Sequence, residues 1–288
     1  MNTALLNDRA QILLSGHDAE HFLQNIVTVD LDQLAPGEIR PGALLTPHGK
    51  ILFDFLVSRA GENRLRLDCR ADVADDFIRR LAMYRLRAKV DISKQDQSFA
   101  AVAWGSESDA SRDESSGLVD RRFHAPARAY RFYDDFPAAT ATPADWHAFR
   151  IANAVAESGS DYGLGDAFPH DVLLDQSGGV GFRKGCYVGQ EVVSRMQHRG
   201  TARRRILHVR GEAGLPPAGA ELTAGGRAIG TLGSVSGKDG IAILRIDRVK
   251  DALDAGVPIL AGDVGVQVAI PAWANFTFPL DAAASGDA

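Results

Sequence analysis

Lys184-Gly185-Cys186-Tyr187-Val188-Gly189-Gln190-Glu191 is the stretch from which the rest of the chain is read. It sets a cysteine between two glycines, with Arg183 and Lys184 before it and a helix-forming run, Val188 to Met196, after it. A positive neighbourhood and a helix N-terminus both favour thiolate over thiol, and the thiolate is the form that attacks, is oxidised or binds soft metal ions. Most free cysteines are small buried hydrophobes. The flanking Gly185 and Gly189 and the polar Gln190 argue against a plain core position for Cys186. Glu191 and Arg195 stand at i and i+4, the spacing of a pair on one helix face. A helix-stabilising pair accounts for them as well as a ligand contact does.

Working outward, residues 183–210 hold eight Lys or Arg, and Glu191 is their one acid, so the local charge is +7 in a protein of net charge −5. Such asymmetry points to an anionic partner: a polyglutamate tail, a nucleic-acid backbone or an acidic protein surface. A basic strand and loop solvated on one face explains it equally. Tyr187 is the single aromatic residue there, whereas single-strand binders interleave several for base stacking. Nucleic acid is therefore expected only as a weak ligand.

Upstream, Asp18 to Gln24 reads as a helix start. Ile51 to Val57 is a buried strand, and Leu65, Leu67 and Cys69 alternate with Arg66 and Asp68 as a half-buried one. Asp72 is a candidate cap for a helix with Phe77, Ile78, Leu81 and Tyr84 on its inner face. Leu86, Ala88, Val90 and Ile92 alternate with charged residues as a further strand, and Phe99 to Trp104 gives another. Ser106 to Gly117 reads as an exposed loop, and Thr142-Pro143 opens a helix to about Ala156. Ser158 to Gly181 reads as irregular. After Arg203, short apolar runs alternate with Gly and Pro turns, the pattern of a small barrel or sandwich. The class is α+β with a C-terminal all-β domain beyond a boundary near residue 200.

Composition is ordinary for a globular chain, 45% hydrophobic and 24% charged. No apolar run reaches the roughly 20 residues of a membrane helix, and Met1 to Leu14 lacks a signal-peptide pattern. The two cysteines, Cys69 and Cys186, form no CxxC pair, so a reducing cytoplasm is the expected compartment. His17-Asp18-Ala19-Glu20-His21 spells an inverted zinc-protease pattern, but no distal ligand segment accompanies it and no metal is expected. Gly178-Gly179-Val180-Gly181 and Gly163-Leu164-Gly165 complete no phosphate loop and read as turns.

The central motif, K-G-C-Y-x-G-Q-E followed by an arginine, resembles the signature of the YgfZ-type folate-binding proteins, which Lys184 to Glu191 with Arg195 match throughout. Gly16-His17-Asp18-Ala19 with Phe22-Leu23-Gln24 is similar to the family's N-terminal block. Thr46-Pro47-His48-Gly49-Lys50 is similar to its second block, and Gly219 to Ser234 to the opening of its barrel. The resemblance covers nearly the whole chain. It implies a multi-module, T-protein-like α+β fold. Residues 1–200 would be a folate-binding region of two interleaved modules, with a ferredoxin-like part around 50–140, and residues 201–288 a C-terminal β-barrel. It assigns chemistry to Cys186, Lys184, Tyr187, Gln190, Glu191 and Arg195.

The wider superfamily includes the glycine-cleavage T-protein, an aminomethyltransferase using tetrahydrofolate. Asp54 falls where that enzyme carries its key aspartate, Asp161 falls near an acid used in folate contacts, and Asp171 joins them as a third cofactor-contacting acid. Ala152 stands where the T-protein pattern has glutamate, and the T-protein lacks the Cys186 block. Both departures turn the expectation from aminomethyl transfer towards the YgfZ branch. That branch is tied to assembly or repair of iron–sulfur enzymes, including ones that modify tRNA. The implied partners are tetrahydrofolate or a derivative and iron–sulfur clients or assembly proteins, with no membrane.

Overall fold

The computed structural model describes residues 1–96, 99–106, 117–200 and 202–279. The first layer is a nine-stranded sheet. Its strands in chain order are β1 (Asn2–Leu6), β2 (Arg9–Ser15), β3 (Glu38–Leu45), β4 (Ile51–Arg59), β5 (Arg64–Arg70), β6 (Asp91–Lys94), β7 (Ala100–Ser106), β8 (Leu118–Asp120) and β9 (Ala127–Phe132). Across the sheet they run β1-β7-β9-β8-β3-β4-β5-β2-β6. All the pairings are antiparallel except β3 with β8, where Glu38 meets Val119 and Ile39 meets Asp120. That parallel seam joins two half-sheets. Because β1 lies in one half and β2 in the other, the chain enters both at its start.

Strand periodicity decides which side chains reach the site. In β4, Phe53, Phe55 and Val57 belong to the core under helix α2 (Ala74–Arg85), and Phe77 stacks on Phe53 and Phe55 at 4.9 and 5.5 Å between ring centres. The period of two therefore turns Asp54, Leu56 and Ser58 to the opposite face. Leu65, Leu67 and Cys69 of β5 fill the same core, with Leu23 of helix α1 (Ala19–Gln24), and Arg66 and Asp68 share the face of Asp54. The second half-sheet packs against helix α3 (Pro143–Ala152), which opens with a full capping box between Thr142 and Asp145 and buries Trp146 against Trp104 at 5.6 Å.

After helix α4 (Gln190–Arg199) come six strands that close into a barrel. They are β10 (Arg204–Gly211), β11 (Glu221–Ala224), β12 (Arg227–Ser236), β13 (Asp239–Arg245), β14 (Ile259–Ala261) and β15 (Val264–Ala269), with helix α5 (Ile246–Asp254) between β13 and β14. Closure leaves no open edge, which suits strands this short.

Three local readings are corrected. Asp72 does not cap α2: it pairs with Arg70, and Val73 holds the cap position without a side-chain bond. The strand expected from Leu86 starts only at Asp91, because α2 runs to Arg85 and Leu86 turns out at φ 44°, 88% exposed. Helix α3 stops at Ala152 rather than Ala156, since Ala154 takes a left-handed φ of 53°. The polar stretch from Ser106 to Gly117 lies outside the described residues over 107–116.

The segment between α3 and α4 carries neither helix nor strand, yet it is fastened at both flanks. The amide of Ile51 donates to Ala167 O at 2.9 Å, Thr28 Oγ1 to Gly179 O at 2.7 Å, and the amide of Ile206 to Asp171 O at 2.9 Å. A long ordered loop of this kind is the usual home of a functional site.

Candidate functional site

The Lys184–Glu191 motif lies on the turn between β3 and β4. Tyr187 is buried in one apolar cluster with Ala43, Leu45, Ile51, Leu174 and Val193, and burial pushes its hydroxyl up to about 12. Lys184 points inward and donates to Val27 O at 2.8 Å and Val29 O at 2.7 Å. Desolvation lowers its pKa to about 8, despite the raising effect of Asp30 and Asp32. Lys184 and Tyr187 are thus fasteners. Between them and around them, Gly185 and Cys186 face solvent.

Gly189 makes the close approach that seats the motif. It has φ 78°, and a Cβ there would lie 2.5 Å from Thr46 O and 3.1 Å from Gly49 Cα. The two sequence blocks around residues 46–50 and 184–191 therefore meet backbone to backbone. Replacing Gly189 by alanine is expected to cost about 1–3 kcal/mol, read as a fall of several degrees in the thermal midpoint. Gly185→Ala, with nothing within 4 Å of its Cβ position, is expected to leave the midpoint unchanged. Equal midpoints for the two variants would contradict this seating.

Helix α4 begins at Gln190, capped by Gly189, so the expectation that the helix starts at Val188, with Cys186 at its N-terminus, is corrected. The left-handed Gly189 and its contact with Thr46 delay the first turn. Gln190 is half-buried, Glu191 and Arg195 are exposed, and the latter two form no ion pair among the described residues.

The basic run likewise dissolves on folding. Arg205 is buried on Asp175 at 2.7 Å, Arg204 lies 3.7 Å from both Asp166 and Asp171, and Arg210 lies 3.3 Å from Asp239. With Lys184 turned inward, half of the cations are turned inward or set beside acids instead of forming one basic face.

Behind the motif a cleft of about 550 Å³, counting its open mouth, lies over the centre of the sheet. Asp54 is on its floor; Leu174, which packs with Tyr187, is in its wall. The Asp54 carboxylate accepts from Ser158 Oγ at 2.5 Å and from Tyr162 Oη at 3.1 Å. Arg9, Arg122, Glu157 and Trp273 also line the cleft. Trp273, from the segment after the barrel, stacks on His124 at 4.5 Å and donates to Asn153 O at 2.9 Å. None of Arg9, Arg122, Glu157, Tyr162 and Trp273 was singled out from sequence. They belong to four separate segments with no shared motif.

The other two proposed cofactor acids stand outside this cleft's lining. Asp161 is consumed by Arg150 at 2.7 Å and by the amides of Glu157 and Ser234, both at 2.7 Å. Asp171 accepts from the amide of Phe168 at 3.0 Å, and burial raises its pKa. Both tie the loop to its surroundings. Ala152 is exposed at the end of α3, so its identity says little about the cleft. The second acid of the cleft is Glu157. Burial opposes its ionisation, but Arg150 and Arg122, each 3.5 Å away, hold it well below the usual carboxylate range.

Glu157 belongs to a buried chain of alternating charges. Arg9 and Arg131 meet on Asp68 at 2.6 and 3.4 Å. Arg131 and Arg122 meet Asp120 at 3.6 and 2.7 Å. Arg122 and Arg150 meet Glu157, and Arg150 continues to Asp161. This chain crosses from one half-sheet to the other and ends on the barrel.

Residues 6–111 match the GCVT N-terminal domain, and residues 203–276 match the C-terminal β-barrel domain of CAF17. Among curated relatives, the mitochondrial iron–sulfur cluster assembly factor IBA57 of Mus musculus is 28% identical, covering 86% of this chain and 78% of its own length. That of Homo sapiens is 27% identical over 93% and 82%, and the homolog of Mycosarcoma maydis 31% over 73% and 57%. The solved aminomethyltransferase T of the glycine cleavage system from Bartonella henselae superposes with a TM-score of 0.67 at 15% identity, covering 93% of this chain and 85% of its own.

These relatives are named as mitochondrial proteins, which overturns the cytoplasmic expectation. That expectation rested on cysteine usage, which separates oxidising from reducing compartments and cannot tell two reducing ones apart. No helix among the described residues is long and apolar enough to cross a membrane. With a match to the GCVT N-terminal domain followed by one to a CAF17-type barrel, on a T-protein-like fold, the chain fits the YgfZ/IBA57-type T-protein superfamily.

Proposed function

We propose that this protein binds a reduced folate in the Asp54 cleft and supports the assembly or repair of iron–sulfur enzymes, tRNA-modifying ones among them, through Cys186. Residues 1–200 carry the folate region in this reading, and the barrel from 201 braces it. The observation that carries the proposal is the mounting of Cys186. Its neighbours Lys184 and Tyr187 are anchored while the thiol itself faces solvent, and the apolar cluster that anchors Tyr187 shares Leu174 with the cleft wall. A thiol held this way meets an outside partner without unfolding anything. The relatives named as iron–sulfur cluster assembly factors supply the class of partner.

The cleft's residues fit a folate. Leu56, Leu173, Leu174 and Trp273 offer apolar walls for a flat ring. Asp54 spends two acceptor sites on Ser158 and Tyr162, which leaves about two for the donor-rich edge of a pterin. Arg9 and Arg122 are the cations in the cleft's lining, each already paired with a buried acid. A bound tetrahydrofolate would supply one-carbon chemistry; the chain's own part is to orient it and shield it from water. Asp54→Asn is expected to weaken tetrahydrofolate binding about 10- to 100-fold, the loss of a hydrogen bond to a charged group. Calorimetry giving the same affinity for both proteins would remove Asp54 from the site.

A second reading, tetrahydrofolate-dependent aminomethyl transfer, gains from Glu157, which gives the cleft a second acid. Turnover with an aminomethylated carrier protein separates the two: sustained product formation would favour the transferase, and none is expected.

A further inference from the structure

Asp68 is bonded on one side by Arg9, which lines the Asp54 cleft, and on the other by Arg131, which lines a second recess. Arg66, Arg59 and Tyr133 line that recess too. Three arginines line it against two acids, Asp134 and Asp135. Arg131 is fully buried, and its Nε and Nη2 have no hydrogen-bond partner; the 3.6 Å from Nε to Asp120 is too long for one. Arg66 Nε is buried without a partner as well. So is Oγ of Ser58, whose residue pairs with Arg66 across β4 and β5 and therefore shares its face.

Buried polar atoms left unpaired are rare in native structures. Here two such arginines, Arg66 and Arg131, line one recess, and Ser58 sits beside Arg66 on the same face of the sheet. Guanidinium groups can only donate, and a serine hydroxyl donates readily. The missing partner is therefore a group rich in acceptors. Arg59 does not compete for it, because both its terminal nitrogens are taken by Glu20 at 2.8 and 2.7 Å. Arg66 is held in place, its guanidinium 4.5 Å over the Tyr133 ring. The acid it reaches is Asp134, at 3.4 Å and 83% exposed on its side chain, a weak partner that solvent already screens.

We propose that the recess between Arg66 and Arg131 binds a small oxyanion, a phosphate or a carboxylate. The site shares no lining residue with the Asp54 cleft, so it stands independently of the folate reading. The ligand takes Arg66 over from Asp134 and satisfies the donors beneath.

The test is thermal unfolding of the full chain titrated with inorganic phosphate and, separately, with glutarate, each against chloride at matched ionic strength. A saturable rise with phosphate alone assigns a phosphate ligand, with glutarate alone a carboxylate, and with both an oxyanion of either kind. A rise that grows without saturating is general exclusion from the protein surface and counts against the site. Arg66→Gln is expected to weaken the saturable effect about tenfold. Asp134→Asn, which frees Arg66 and leaves the donors intact, is expected to strengthen it about two- to threefold, and it decides the matter even if Arg66→Gln folds poorly. The proposal is overturned if neither anion gives a saturable rise, if Asp134→Asn leaves the effect unchanged or weakens it, or if Asp54→Asn abolishes it.

Discussion

Cells in which Cys186→Ala replaces the native protein are expected to lose at least about nine-tenths of the activity of a client iron–sulfur tRNA-modifying enzyme, as removing an essential nucleophile or ligand does. Cells carrying Cys69→Ala are expected to keep it, at matched protein levels. The two thiols differ in exposure. Cys69 is fully buried between Leu67 and the α2 side of the sheet, and burial pushes its thiol up to about 12. At neutral pH it is a small hydrophobe. Cys186 is exposed, on a segment fixed by Lys184, Tyr187 and Gly189. A thiol-alkylating reagent should therefore label Cys186 in the folded protein and reach Cys69 only on unfolding, which mass spectrometry of the digested protein resolves. Full client activity with Cys186→Ala would make the thiol dispensable and leave the motif acting through its anchoring residues alone.

Asp68→Ala is expected to be the most damaging single substitution for stability, about 3–5 kcal/mol. Asp68 is fully buried and accepts from Arg9 at 2.6 Å, Tyr133 Oη at 2.7 Å and Arg131 at 3.4 Å. Removing it leaves Arg9 without its acid and Arg131 with only the 3.6 Å contact to Asp120. Denaturant unfolding should show the loss, and Asp134→Asn on the exposed surface should change stability by no more than about 0.5 kcal/mol. The sign of the pH dependence follows. Burial pushes the Asp68 pKa up, but Arg9 and Arg131 outweigh it and hold it below its ordinary value of 3.8. A depressed folded pKa gives stability that is present above the unfolded value and lost as pH falls through the folded one. The gap between wild type and Asp68→Asn should therefore be constant at neutral pH and close below about pH 4. A gap that widens on acidification would mean that Asp68 is not ionised in the folded protein.

Local order was legible in the residues themselves. The alternation of Leu65, Leu67 and Cys69 fixes which face of β5 is buried, and thereby that Cys69 is inert, because strand side chains repeat with a period of two. Thr142-Pro143 announces α3 because a cap is satisfied within three residues. The short apolar runs after Arg203 announce barrel strands. Whether each motif residue faces in or out was not legible. Lys184 is turned inward by carbonyls 155 and 157 positions away, and Asp54 is held by a serine 104 positions on. The same distance hides the cleft: Arg9, Arg122, Glu157, Tyr162 and Trp273 become neighbours only when two half-sheets, a loop and the barrel's tail close over one another. It also divides the basic run, whose cations are paired with acids from other segments, and it assigns Asp161 and Asp171 to holding the loop. Periodicity and capping are settled by neighbours a few residues apart, so the sequence displays them. Charge pairing and exposure are settled by whichever distant segment arrives to desolvate a side chain, and only the tertiary structure says which one does.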